Sequence, residues 1–100
     1  MQMTKTNSDD CIEIEWPWDM VPDELFDELS DDIKTRIPAD HIFQGKDIYP
    51  SIRHEEKPIW IWENATDGNL IVFDFSKKRI KGMYWYRIET NLESVLKKYK

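Results

Sequence analysis

The chain has 100 residues, a formal net charge of -6, and 40% apolar and 13% aromatic residues. That length predicts one domain with one modest core, and the aromatics argue against a disordered polar chain. Net acidity disfavours nucleic acid and anionic membrane as partners of the chain as a whole. The longest apolar runs, at residues 59–62, 70–73 and 83–86, are far shorter than the about 20 residues of a membrane helix.

Residues 1–10 (MQMTKTNSDD) are polar, lack the apolar core of a signal peptide and are expected to form a disordered tail. A single cysteine, Cys11, has no internal partner for a disulfide, so a reducing cytoplasm is the expected compartment. Residues 11–16 (CIEIEW) alternate apolar and acidic side chains, which predicts a half-buried strand with Ile12, Ile14 and Trp16 inward. Pro17, lacking a backbone donor, should end it. Pro22, Asp23 and Glu24 suit a helix start, giving a helix over about 22–30. A second short turn capped by Ser30 or Asp31 should run through Arg36, with Ile33 and Ile37 inward, until Pro38 stops it.

Residues 39–57 read least clearly. The stretch holds His41, Gly45, Pro50 and His54 among scattered apolar residues, and it is long for a bare loop. It contains either a short strand near 47–52 or a functional loop. Residues 58–63 (PIWIWE) predict a strand, 64–69 (NATDGN) a hairpin turn through Asp67-Gly68, and 70–75 (LIVFDF) the next strand. A basic turn follows at 76–82, then a strand over 82–89. Thr90 and Glu93 have the spacing of a capping box, and Leu92, Val95, Leu96 and Tyr99 that of one buried helical face.

The strands carry apolar side chains on both faces. Trp60 and Trp62 point opposite to Ile59 and Ile61, and Ile71, Phe73 and Phe75 opposite to Leu70, Val72 and Asp74. Either both faces are covered, or an aromatic face stays open for a partner, since Trp and Tyr dominate interface anchors.

Signals for catalysis are absent. His54-Glu55-Glu56 lacks the second histidine of a zinc helix, His41 and His54 are 13 residues apart, and Cys11 has no motif around it. Three glycines, at 45, 68 and 82, form no phosphate-binding loop. Asn64-Ala65-Thr66 fits the glycosylation pattern but reads as a turn. Lys77, Lys78, Arg79 and Lys81 lie beside Tyr84, Trp85 and Tyr86, an interleaving found in single-strand binders and also in solvated hairpin tips.

The charge is divided along the chain. Residues 1–32 hold eleven acidic residues and one Lys, a net of -10, while residues 33–100 hold nine acidic and thirteen basic residues, a net of +4. The acidic third either lines solvated faces and neutralises the basic part within the fold, or forms a patch that attracts a basic partner.

Residues 62–99 contain an Asp-Gly-Asn turn (Asp67, Gly68, Asn69), an apolar strand ending in Asp74 and Ser76, a Gly-led aromatic strand (Gly82, Tyr84, Trp85, Tyr86) and a closing helix with Leu92 and Leu96. This span, about two fifths of the chain, resembles the C-terminal part of SUKH-superfamily immunity proteins. The resemblance implies a small cytoplasmic α+β protein that neutralises a cognate toxin, and it carries over no catalytic residue.

The expected fold is therefore a single α+β domain over residues 11–100, with an antiparallel sheet of three to five strands, short N-terminal helices and a C-terminal helix packed on it. The expected function is that of a non-enzymatic, acidic immunity or antitoxin protein. It would block a basic bacterial toxin, a nuclease domain among the candidates, by setting carboxylates where substrate phosphates would lie. The candidate residues are Asp23, Glu24, Asp27, Glu28, Asp31 and Asp32, followed by Glu13, Glu15 and Asp19, with Trp18 as aromatic anchor. No metal, cofactor or membrane is expected, and the chain should be a monomer or weak homodimer. The alternatives are a phage-type anti-defence inhibitor or nucleic-acid mimic, a small enzyme using His41 or His54, and a nucleic-acid-binding module through residues 77–81 and 84–86.

Overall fold

Apolar runs such as IWIW and LIVF have no polar face to turn to water, so a strand built from them must be covered on both sides. The computed structural model, which describes residues 14–80 and 82–100, shows how this is done. Five strands form one antiparallel meander in chain order: β1 (Trp18–Met20), β2 (Ile48–His54), β3 (Ile59–Asn64), β4 (Asn69–Asp74) and β5 (Tyr86–Glu89). A 3-10 turn (Asp23–Leu25) leads into helix α1 (Phe26–Arg36) between β1 and β2, and helix α2 (Leu92–Lys98) closes the chain. The fold class is α+β. Among the described residues, no helix is long and apolar enough to cross a membrane.

Each side of the sheet has its own core. In register, Trp60 faces Phe73 and Trp62 faces Ile71 across β3 and β4. These four side chains join Ile33, Ile37, Phe43, Ile48 and Met83 on the α1 side. Their neighbours Ile59, Ile61 and Val72 point the other way and pack with Trp18, Ile52 and Val95, flanked by Leu92, Leu96 and Tyr99 of the α2 side. The strand faces and the apolar face of α2 are those the alternation predicts.

The first half differs from its expected form. The tail at residues 1–10 and the start of the expected strand, with Cys11, Ile12 and Glu13, lie outside the described residues, as does Lys81. Ile14 and Glu15 are not in a strand, Trp16 and Pro17 form a turn, and the strand begins one residue after the proline expected to end it. Its pairing Trp18↔His54 spans 36 residues, so no local pattern announces it. Ser30 caps nothing, because α1 runs through it unbroken to Arg36.

Residues 39–57 turn out to be a plug followed by a strand. Phe43, 1% exposed, is inserted between Phe73, Tyr86 and His41. Gln44 Nε2 donates to the carbonyls of Ile37, the C-cap of α1, and Pro38 (3.2 and 3.3 Å), tying the plug to the end of the helix. β2 tolerates Pro50 because its register slips between Pro50 and Ile52, the sort of irregularity where a strand accepts proline.

The β3–β4 hairpin is stapled at its tip. Asn64 Oδ1 accepts from the Asp67 amide (3.1 Å), Gly68 takes a φ of 74° that only glycine adopts freely, and Lys46 Nζ reaches Asp67 Oδ1 at 2.9 Å. Asn64 is 1% exposed, so the Asn-Ala-Thr triplet is part of this turn. The strand expected over 82–89 is shorter, since only an isolated bridge, Ile80↔Met83, precedes β5. The cap of α2 is Asn91 rather than Thr90: its Oδ1 accepts from the Ser94 amide at 2.8 Å. Glu89 Oε2 then accepts from Lys98 Nζ (3.0 Å) and Tyr99 Oη (3.2 Å), tying α2 to β5.

Candidate binding surfaces

The 3-10 turn and α1 gather six of the candidate carboxylates. Leu29 and Ile33 turn inward to the sheet, which leaves Asp23, Glu24, Asp27, Glu28, Asp31 and Asp32 exposed. The i, i+3, i+4, i+7 spacing of Glu24, Asp27, Glu28 and Asp31 puts them on one face. Among the described residues only Asp32 of the six has a cationic partner, Arg36 Nε at 3.4 Å. Asp23 to Glu28 also sit at the positive end of the helix dipole, where each stabilises the helix by about 0.3–1 kcal/mol. No ion pair among the described residues joins this face to the basic residues 76–100.

Glu15 and Asp19 are exposed but belong to the β1 segment, not to α1. Asp19 Oδ2 lies 3.9 Å from Arg53 Nη2, which β2 presents beside it. Glu13 is outside the described residues.

The expectations for the two N-terminal tryptophans are inverted. Trp18 is 5% exposed, donates its Nε1 hydrogen to the Leu96 carbonyl at 2.9 Å and stands edge-on to His54 at 4.9 Å. It is core, and it locks β1 to α2. Trp16, expected to close the core, is 66% exposed. The turn at 16–17 interrupts the alternation, so Ile14 and Trp18 pack on the core while Trp16 between them faces solvent.

A second surface lies where α1 does not fully cover the sheet. Leu29, Asp32, Ile33, Trp60, Trp62, Phe75 and Tyr84 line an open cavity of about 270 Å3. Trp62 is 2% exposed, and its indole N–H is buried without an acceptor among the described residues. Tyr84 stands perpendicular to Phe75 (4.7 Å) and carries Arg79 at 4.6 Å and Arg36 at 5.9 Å over its ring. Beyond it, Lys77 and Arg87 lie over Trp85 at 5.3 and 5.8 Å. Residues 75–88 contain no carboxylate, and none of Lys77, Lys78, Arg79 and Arg87 is in an ion pair among the described residues. The strand pattern places Trp60, Phe75 and Tyr84 on one face, but the cavity between them depends on where α1 ends.

Both histidines serve the turns they occupy. His54 Nδ1 accepts from the Glu56 and Lys57 amides (3.0 and 2.9 Å), which fixes its neutral proton on Nε2. His41 Nδ1 accepts from the Phe43 amide (3.2 Å). Burial is the main influence lowering both imidazole pKa values, helped at His54 by Lys57. No group of three or more His, Cys, Asp or Glu among the described residues is arranged to hold a metal.

In comparisons with protein-family models, curated proteins and solved structures, nothing matches this chain.

Proposed function

We propose that this chain is a non-enzymatic binding protein that inhibits a basic partner through the outer face of the 3-10 turn and α1. In the form we favour, it is a cytoplasmic immunity or antitoxin protein, acting as a monomer, whose partner is a bacterial toxin with a nuclease-type active site. The observation that carries this reading is the unneutralised row of carboxylates. Six acidic side chains stand exposed within ten residues, and five have no cation beside them among the described residues. Lys and Arg that hold substrate phosphates would meet this row instead. Its field would speed encounter more than it would strengthen the docked complex. Trp16, exposed beside Glu15, takes the anchoring role assigned from sequence to Trp18. The SUKH-like span at residues 62–99 supports the same class of function.

The test is a variant carrying Asp23→Asn, Asp27→Asn, Glu28→Gln and Asp31→Asn, compared with wild type against the partner purified from the native host. Association should slow about tenfold or more at low salt and lose most of its salt dependence. Melting curves separate this effect from loss of helix-dipole stabilisation. An association rate unchanged at low salt rejects the acidic-face mechanism.

A further inference from the structure

The chain carries a second surface of opposite sign, and we propose that it binds single-stranded nucleic acid. The phosphodiester backbone lies along Lys77, Lys78 and Arg79, and one base enters the aromatic cavity that Arg79 flanks. This inference does not rest on the proposed function, which is carried by the carboxylates Asp23 to Asp31; the two surfaces meet at Asp32.

Three observations carry it. First, the segment from Phe75 to Ile88 holds five Lys or Arg and no acid. The four described cations are exposed and pair with no carboxylate. Unpaired cations in a row are what a polyanion exchanges for its condensed counterions. Second, Arg79 lies over Tyr84, and Lys77 and Arg87 lie over Trp85, which sets cations beside aromatic rings, and both aromatic rings and guanidinium planes stack with bases. Third, the cavity next to Arg79 and Arg36 is walled by Trp60, Phe75 and Tyr84 and open to solvent. A benzene ring fits an apolar cavity of about 150 Å3, so a cavity of about 270 Å3 has room for one base. A lipid headgroup or an acidic peptide would satisfy the cations but leave the flat-walled cavity unused.

The net charge of -6 does not forbid this. Along α1, Asp27 lies about 13 Å from Arg36 by helical rise, beyond the Debye length of about 8 Å at physiological salt. At that salt the start of the helix is therefore largely screened from Arg36, and the nearer Asp32 is paired with it.

The experiment is fluorescence anisotropy of labelled dodecamers, oligo-dT and oligo-U, with the full chain at 50 and 150 mM salt. Competition arms use the mononucleotide, a Glu-rich peptide and phosphatidylserine vesicles. Dodecamer binding that weakens with salt is expected, with the Lys77→Gln/Arg79→Gln variant binding at least tenfold more weakly and showing a shallower salt slope. Both residues are exposed, so the variant should fold, and Lys46→Gln at the far hairpin should leave affinity unchanged. Absence of dodecamer binding at 50 mM salt overturns the proposal, as does binding unaffected by the double variant. A mononucleotide that competes as well as the dodecamer assigns the site to free nucleotides and overturns the strand. A peptide or vesicle that competes better than the dodecamer overturns the nucleic acid.

Discussion

Replacing Trp18 by Phe tests the placement on which the α2 side of the fold depends. The indole donates to the Leu96 carbonyl at 2.9 Å, and losing a buried hydrogen bond of this kind costs about 1 kcal/mol. Phenylalanine also lacks three of the ring's heavy atoms. At about 0.8 kcal/mol per buried carbon this adds roughly 2 kcal/mol, less whatever the site recovers by relaxing. We expect a total of about 2–3 kcal/mol, which for 100 residues lowers Tm by about 10–20 °C. Trp16→Phe makes the same chemical change at a side chain that is 66% exposed, and it should cost under about 0.5 kcal/mol. Urea unfolding followed by far-UV circular dichroism measures both without relying on tryptophan emission. Equal costs, or a larger cost at Trp16, would refute the assignment of Trp18 to the core.

Two further substitutions probe the C-terminal helix. Asn91→Ala removes the acceptor of the Ser94 amide and should destabilise by about 1 kcal/mol, whereas Thr90→Ala should fall within about 0.5 kcal/mol, as read from urea midpoints. Glu89 is held below its ordinary carboxylate range, first by its hydrogen bond from Lys98; burial opposes this, and the hydrogen bond from Tyr99 and the charges of Lys98 and Arg87 add to the lowering. A carboxylate whose pKa is lower folded than unfolded stabilises the fold above its unfolded value. That contribution disappears as pH falls through the lower folded value. Melting temperatures from pH 6 to pH 3 should therefore fall less steeply in Glu89→Gln than in wild type, and parallel curves would contradict the pairing.

What was legible in the sequence was whatever repeats at short range. The opposite faces of β3 and β4 follow from a two-residue period. The apolar face of α2 follows from spacings of three and four, and the β3–β4 turn from Asp67-Gly68. What was hidden depended on partners far along the chain. β1 is three residues long and exists because Trp18, Asp19 and Met20 find His54, Arg53 and Ile52. The alternation of CIEIEW pointed to a strand that ends at Trp16. The chain instead turns at Trp16 and Pro17, so the tryptophan after the proline is the buried one. β2 was obscured by Pro50 and by the register slip next to it. At α2 two adjacent residues, Thr90 and Asn91, each had a capping side chain. Local pattern favoured the one followed three residues later by glutamate, while the helix starts from the other.

The acidic candidates were legible as a charge run, but their availability was not. A count of charges gives -10 against +4 and is equally compatible with internal neutralisation. Among the described residues, Asp19 and Asp32 lie beside arginines, and Asp23, Glu24, Asp27, Glu28 and Asp31 have no cation beside them. Leu29 and Ile33 point α1 inward, its N-terminal carboxylates face solvent, and its last turn delivers Arg36 to Tyr84 beside the basic loop. One helix thus joins a negative surface to a positive one, with Asp32 and Arg36 paired where they meet. The pair is half-exposed on both sides, so it is worth little as a stabilising contact. Its consequence is to neutralise the last turn of the helix. The acidic start of the helix and the basic loop beyond its end then present opposite fields, and at physiological salt charges more than about 8 Å apart are largely screened. A partner selected by charge therefore meets either an acidic surface or a basic aromatic one, and the small net charge of the whole chain describes neither.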